Sequence, residues 1–438
     1  MTRTPPKRSL PVLVPSQSEW QISQLVPGGA GFLRLANGQG AFAPGALPGE
    51  RIRVLEAQDH RTYLLATRWS LLAASADRVA PACALQARCG GCDLMTLDYP
   101  AQLTAKLGIL RDALMRTGRF EVLPEIPFVA SDDQLAYRSR IRLHVDDHGQ
   151  LGFFAADSHD LVAIPECPVA HADLNLALGE LRSIVASQRT QLALFSEVEL
   201  RVAPAGPKIS LHLTAKDRRL IGGDRLISAL SRSFQVSVAE RAVIPDQDQR
   251  FPLPGGLVLR APPAAFTQVN WTVNQRLVQA VVDGARARAC VTFCDLYSGA
   301  GNFSLPLFAA GLAGVAIEAS VLAIAAAERA AADHGFRTAR FIAGDVHDVL
   351  TTLPHAEHFD LVLLDPPRSG ARQILPELMR RAPRHIAYCA CDPVTLARDL
   401  RTLCDGGYQL EQVTGFDMFP QTHHFETLVW LIRRAGGD

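Results

Sequence analysis

The chain has 438 residues, 48% apolar and 20% charged, and at roughly 150 residues per domain this ordinary globular composition fits about three units. It excludes a disordered, collagenous or disulfide-stapled protein. Lysine plus arginine and aspartate plus glutamate both number 44, so the total charge predicts no general affinity for polyanions.

The longest uninterrupted apolar run, Leu305 to Ile317, stops at Glu318 after 13 residues, short of the roughly 18 that a membrane helix needs. Arg3, Lys7 and Arg8 precede only a short, proline-broken apolar stretch, which argues against a signal peptide. The expectation is a soluble cytoplasmic protein. Residues 1–75 hold eight basic and four acidic side chains, so this segment is net +4. Such a local surface suits nucleic acid, and a solvated charged face reads the same way.

In chain order, the first 70 residues read as short strands punctuated by Gly28-Gly29, Gly31, Gly38, Gly40 and Pro48-Gly49. Closely spaced turns suggest a small β-barrel of the oligonucleotide-binding kind, and any other small β domain fits the spacing equally well. Next come Cys83, Cys89 and Cys92, with Cys167 further on and five more cysteines after residue 289. An odd total of nine in a cytosolic chain points to metal ligation or catalysis rather than disulfides. Four thiolates suit tetrahedral zinc or an iron–sulfur cluster, and the spacing leaves both open. The Cys-x3-Cys-x2-Cys pattern of radical chemistry is absent.

Residues 98–118 have helical apolar spacing and a glycine stop. Residues 136–260 are strand-rich with a helical insert near 171–187. Within them Arg138, Arg140, Arg142 and His144 alternate with Ser139, Ile141, Leu143 and Val145, which predicts three guanidinium groups on one strand face. Such a row suits phosphate contacts, and it equally suits a solvated outer face.

From about residue 265, apolar runs at 291–294, 314–317, 359–364 and 385–389 alternate with helical stretches at 272–287, 320–334 and 394–404. That alternation predicts a mostly parallel sheet. After its first strand comes Asp295-Leu-Tyr-Ser-Gly299-Ala-Gly301-Asn-Phe-Ser304, where the glycines let backbone approach a ligand closely. A dinucleotide fingerprint wants glycine where Ser304 stands. Asp295, Glu318, Asp345 and Asp365 all end or follow strands of this sheet, and Asp365 is fixed by Pro366-Pro367-Arg368. Repeated acids at one sheet edge favour a cationic, ribose-bearing cofactor such as S-adenosylmethionine over NAD.

Tyr388-Cys389-Ala-Cys391-Asp392-Pro393 follows another apolar strand, and a thiol at a strand-to-turn transition is a candidate nucleophile. The bland alternative is a buried structural cysteine. The Asp-Pro turn favours Cys391 over Cys389. Near the C-terminus, Asp417 to Glu426 precedes a last strand, and His423, His424 or Glu426 could serve as the acid–base group.

Over nearly its whole length the chain resembles the RNA uracil-5-methyltransferases, most closely the bacterial iron–sulfur branch that acts on 23S ribosomal RNA. The resemblance rests on seven motifs in order. They are Pro48-Gly-Glu, the Cys83–Cys92 run, Phe266-Thr-Gln-Val-Asn270, Asp295 through Phe303, Asp365-Pro-Pro-Arg, Cys391 through Asp399, and Met418-Phe-Pro through Glu426.

The resemblance implies a multi-domain α/β protein. Its parts are an OB-like TRAM barrel for RNA over residues 1–74, a central α+β domain over 75–264, and a Rossmann-like class I methyltransferase domain over 265–438. The helix over about 98–120 is expected to pack on the catalytic domain. Gln268, Tyr297, Asn302, Glu318, Asp345 and Asp365 fall where the family binds S-adenosylmethionine. Cys391 falls on the nucleophile and Glu426 on the general base, while Cys83, Cys89, Cys92 and Cys167 fall on ligands of a [4Fe-4S] cluster. The implied activity is C5-methylation of a specific uridine in 23S ribosomal RNA through a covalent Cys–C6 adduct, by a monomer without membrane contact. Alternatives are another rRNA or tRNA uridine, an amino-methyltransferase, or a non-catalytic RNA-binding assembly factor. The family's tRNA member lacks the barrel and the four cysteines, which favours ribosomal RNA. Two departures stand out: Asp392 replaces the family's usual asparagine, and Cys389 is an extra thiol. A carboxylate beside the nucleophile is expected to raise its pKa.

Overall fold

A computed structural model describes residues 18–434, other than 205–208, 218–221, 240–247, 264 and 355–356. Arg3, Lys7 and Arg8 of the basic N-terminal segment lie outside the described residues. Backbone proximity groups the chain into two units. One comprises the described parts of Met1–Ala87 with Cys92–Asp112 and Gln421–His423; the other comprises Arg88–Gly91, Ala113–Pro420 and the described part of His424–Asp438.

The first unit is built on a six-stranded sheet in the order Glu19–Gln21, Arg51–Asp59, Tyr63–Ala73, Gly40–Ala43, Gly31–Arg34, Gln24–Leu25. Strand alternation buries Trp20, Ile52, Val54 and Ala66 in one core, while Arg51, Arg53 and Arg68 face outward. The Pro48-Gly-Glu motif is a turn. Gly49 adopts φ +85°, and the fully buried Glu50 accepts from the Leu47 amide at 2.8 Å and from Arg78 Nη2 at 2.9 Å. The expected helix runs from Tyr99 to Arg116, and Asp98 caps it by accepting from the Ala101 amide at 2.9 Å.

Two large sheets organise the second unit. One runs Leu161–Ala163, Leu151–Phe154, Arg140–Val145, Phe195–Arg201, Ser210–Ala215, Gln235–Val238. Ile141, Leu143, Val198, Leu200, Leu211 and Leu213 form its buried face, and the expected helical insert is Ala172–Val185. A further helix, Asp224–Leu230, has only seven residues and escaped the sequence pattern. Alternation on Arg140–Val145 is as expected, but Arg138 precedes the strand. The arginines are also engaged by the neighbouring strand: Arg142 Nη2 lies 3.2 Å and Arg201 Nη2 2.8 Å from Glu199, with Arg140 at 3.9 Å. Arg140 is therefore largely buried rather than a solvated phosphate contact.

The other sheet has eight strands in the order Arg340–Ala343, Ala313–Glu318, Thr292–Leu296, Leu361–Leu364, His385–Ala390, Glu426–Arg433, Tyr408–Phe416, Phe128–Val129. The first five are mutually parallel, and Glu426–Arg433 is antiparallel to both of its neighbours. Leu361–Leu364 and His385–Ala390 are buried throughout, as strands covered on both faces must be. The two-residue strand Phe128–Val129 joins this sheet from well before residue 265. Helices Trp271–Ala287, Val321–Asp333 and Pro393–Asp405 lie where the spacing predicts, each with a side-chain cap at its start (Asn270, Ser320, Asp392). Among the described residues, no helix is long and apolar enough to cross a membrane.

Candidate active site

The strand order reverses at Thr292–Leu296, whose neighbours are Ala313–Glu318 and Leu361–Leu364. Ligands of open parallel sheets bind at the carboxyl edge of such a switch point. At that edge the chain turns sharply: Tyr297 has φ +66°, Gly299 +55° and Gly301 +93°. Glu318, at the end of the adjacent strand, fixes the turn by accepting from the Gly299 amide at 3.1 Å and the Ser320 amide at 2.8 Å. Ser304, standing where a dinucleotide site would have glycine, donates its hydroxyl to Asp295. The departure from the fingerprint thus supplies a partner for a fully buried carboxylate.

Asn302 is held by a reciprocal amide pair with Asn274, at 2.9 and 3.0 Å. Asn274 is fully buried on Trp271–Ala287, and the sequence reading gave it no role. Its position four residues after the capping Asn270 was the available signal. Exposed Asp345 caps its own helix through the His347 and Asp348 amides, at 2.9 and 3.2 Å. Tyr297 is pushed up to about 12 by burial and then by Asp345 and Asp399. Gln268 is buried, and its Oε1 has no hydrogen-bond partner among the described residues; nor do Oδ1 of Asp295 and Oγ of Ser298. Burying such atoms without compensation costs roughly 1–3 kcal/mol each, so they are poised for a polar ligand. Burial raises Asp295 to about 7, assisted by Asp365 and Glu318; burial likewise raises Asp365 to about 7.

Cys391 and Glu426 meet by register. His385–Ala390 pairs antiparallel with Glu426–Arg433, Ala390 opposite Thr427, so one step further sets Cys391 against Glu426. Cys391 is half-buried and its thiol is pushed up to about 12, by burial first and then by Glu426 and Asp365, against the opposing pull of the Arg368 guanidinium. Glu426 is 4% exposed, and burial, reinforced by Asp365, holds its carboxyl well above the usual range. Cys389 is fully buried in the hydrophobic core, opposite Leu428. Asp392 differs from expectation. Its carboxylate turns to the helix start, accepting from the Val394 and Thr395 amides at 3.0 and 2.7 Å, and the charges that raise Cys391 are Glu426 and Asp365.

Arg368 follows Asp365-Pro-Pro, and its guanidinium is a cationic partner drawn to Cys391 and Glu426 alike. His424 Nε2 lies 3.4 Å from Arg368 Nη2, and the His423 ring pairs with Asp93.

All four cysteines of the quartet are half-buried. Cys89 is near enough to Cys167 to disfavour its ionisation, and burial is the main cause raising the Cys167 thiol. Cys83 and Cys92 belong to the other unit. Among the described residues, no group of three or more His, Cys, Asp or Glu side chains gathers as a metal site.

Residues 254–434 match the family described as tRNA (Uracil-5-)-methyltransferase. The chain is 33% identical over 407 residues to the 23S rRNA (uracil(1939)-C(5))-methyltransferase RlmD of Aeromonas hydrophila, covering 91% of this chain and 92% of that one. It is 32% identical over 421 residues to the protein of the same name from Enterobacter sp., covering 93% and 95%. In fold it is similar to the tRNA (uracil-54, C5)-methyltransferase of Pyrococcus abyssi, solved with S-adenosyl-L-homocysteine. There the TM-score is 0.71 and the identity 24%, over 95% of this chain and 100% of that one. A tRNA enzyme therefore shares the whole-length architecture, and architecture alone does not separate ribosomal from transfer RNA as the sequence reading expected.

Proposed function

The chain belongs to the RNA uracil-5-methyltransferase family, and we propose that it methylates carbon 5 of uridine 1939 in 23S ribosomal RNA, the target named for its relatives at 33 and 32% identity. The observation that carries the chemistry is the meeting of Cys391 and Glu426 at adjacent strand ends, beside Asp365 and Arg368. Gln268, Tyr297, Asn302, Glu318, Asp345 and Asp365 hold S-adenosylmethionine. Its support is the set of unpartnered buried polar atoms and the raised carboxyls at the switch point. When bound, this cofactor supplies an electrophilic methyl group.

Carbon 5 of uracil is a weak nucleophile. The Cys391 thiolate forms a bond to carbon 6, and the displaced π electrons collect as an enolate on the carbon-4 oxygen, making carbon 5 nucleophilic. Arg368, facing the thiol, favours its ionised form. Once carbon 5 carries its new substituent, the Glu426 carboxylate takes the carbon-5 proton, the carbon 6–sulfur bond breaks, and the thiolate is regenerated. Burial that raises the Glu426 pKa also makes its ionised form a stronger base. The target base must leave its stack to reach this edge.

Residues 1–74, whose described part carries the six-stranded sheet, serve as the RNA-binding TRAM barrel, and the protein works as a cytoplasmic monomer. Cys83, Cys89, Cys92 and Cys167 would hold a structural [4Fe-4S] cluster; a donor set made only of cysteines supports this. The test is methyl transfer from labelled cofactor to unmodified 23S rRNA and to tRNA, with the product mapped by mass. Label at uridine 1939 that vanishes in Cys391→Ala supports the reading. Transfer surviving Cys391→Ala would indicate an amino-methyltransferase, label on tRNA another uridine, and no transfer a binding factor.

A further inference from the structure

The motif from Cys391 to Asp399 contains three side chains that the chemistry above leaves unused. Thr395, Arg398 and Asp399 lie on Pro393–Asp405, the helix that starts two residues after Cys391. Together they bond to three residues, Arg368, Ser369 and Ala371, of the loop that follows Asp365-Pro-Pro. Thr395 Oγ1 donates to the Arg368 carbonyl at 3.1 Å, and Arg398 Nη2 donates to the Ser369 carbonyl at 2.9 Å. The Ala371 amide donates to Asp399 Oδ2 at 2.7 Å. Gly370, at φ +80°, lies so close that a Cβ there would stand 2.5 Å from both Arg398 Nη2 and Asp399 Oδ2.

Asp399 is itself immobilised. It is fully buried, receives the Tyr388 hydroxyl at 2.8 Å on Oδ2 and Arg398 Nε at 2.8 Å on Oδ1, and so has both oxygens engaged. Tyr388 belongs to the strand that delivers Cys391. The nucleophile's strand, its helix and the loop carrying Arg368 thereby form one hydrogen-bonded body. By contrast the Arg368 side chain is exposed, long and flexible, and a guanidinium on an untethered loop would lose rotamer and backbone entropy on meeting a thiol.

We infer that Thr395, Arg398 and Asp399 are positioning residues that clamp the 368–371 loop and so set the Arg368 guanidinium beside Cys391. Their role is felt through Arg368 alone. This rests on Cys391 being the nucleophile, but its test reads the thiol directly. The groups facing that thiol are Arg368 from the loop, Asp365 from the end of Leu361–Leu364, and Glu426 from the last strand. Asp392, next in sequence, directs its carboxylate to helix amides.

The experiment is mass-resolved alkylation of Cys391 across pH in the full-length protein, with kcat and KM measured alongside. Arg368→Gln should raise the pH at which Cys391 reacts by about one unit, the scale of losing one opposite charge at contact. Thr395→Val, Gly370→Ala and Asp399→Ala should shift it in the same direction, by no more than that, and lower kcat more than they raise KM. Thr395→Ser should restore the wild-type profile. Added to Arg368→Gln, a clamp substitution should produce no further shift, since the two act through one group. Clamp variants that lose thermal stability yet keep the wild-type alkylation profile would overturn the inference, as would shifts that add to that of Arg368→Gln. Should Asp399→Ala fail to fold, Thr395→Val removes one hydroxyl and decides the matter. A covalent adduct with 5-fluorouridine RNA that maps away from Cys391 would defeat the nucleophile assignment instead.

Discussion

Binding of S-adenosylmethionine should tighten as pH rises through neutrality. Asp295 and Asp365 are both raised to about 7, and Asp295 owes part of this to Asp365 and Glu318. A sulfonium or ammonium brought to this edge favours the ionised carboxylates, so their pKa values fall and protons leave on binding. For one carboxyl at about 7 that binding holds ionised, the fraction already ionised is roughly a tenth at pH 6 and about nine-tenths at pH 8. Affinity should therefore rise about tenfold over that interval, about 1.4 kcal/mol per proton released. Equilibrium titration at both pH values, repeated in buffers of different ionisation enthalpy, measures affinity and proton release independently. Asp295→Asn cannot ionise and should lose one proton from the slope. S-adenosylhomocysteine, lacking the sulfonium charge, should show a shallower slope. Equal affinity at pH 6 and 8 would refute the reasoning.

The same raised aspartate has a consequence for stability. Asp295 is favoured in its neutral form when folded, so its contribution is fully present below the ordinary value of 3.8 and is lost as pH climbs to about 7. Asp295→Asn should thus gain on the wild type in urea melts across that window, by at most about 4 kcal/mol, and parallel pH profiles would count against it. Glu426→Gln should accumulate a methylated covalent RNA complex and turn over slowly; near-native turnover would move the base role to another group. If the cysteine quartet holds a cluster, anaerobically purified protein should contain iron and acid-labile sulfide in equal amounts. Cys167→Ser should then lose both while retaining S-adenosylmethionine binding, and zinc without sulfide in native protein would rule the cluster out.

Elements with strong periodicity or both-face burial were legible in the sequence. The parallel strands read as continuous apolar runs, and apolar spacing bounded three long helices within a residue or two. Short elements were not legible: Asp224–Leu230 and Ser304–Ala309 span too few turns to establish a period. In the site, acids and thiols at strand ends could be read as candidates, although Glu318, Asp345 and Asp392 also accept from backbone amides there. Residues acting through partners were missed. Asn274 looks like any polar helix residue until Asn302 is seen opposite it, and Asp399 becomes informative only when the Ala371 amide and Tyr388 hydroxyl meet it. The arginine row shows the converse error. Period-2 alternation located Arg140 and Arg142 correctly, yet Glu199 on the adjacent strand, 57 residues after Arg142, partners both.

Direction of the last strand explains how a thiol and a carboxylate far apart in sequence share one edge. A parallel sheet delivers residues to its carboxyl edge only from the ends of strands, as with Tyr297, Glu318, Asp365 and Cys391. Glu426 begins its strand, and a parallel Glu426–Arg433 would carry it to the opposite edge, roughly five residues or about 17 Å from Cys391. Because that strand runs antiparallel to His385–Ala390, its first residue lies at the carboxyl edge and its register fixes Glu426 one step beyond the Ala390–Thr427 pair. The same register sends Cys389 inward against Leu428, among apolar side chains where a thiolate is strongly disfavoured. Two cysteines two residues apart thus meet opposite environments, one in the core and one at the edge beside an arginine. It is the strand's end, more than the strand's face, that distinguishes them.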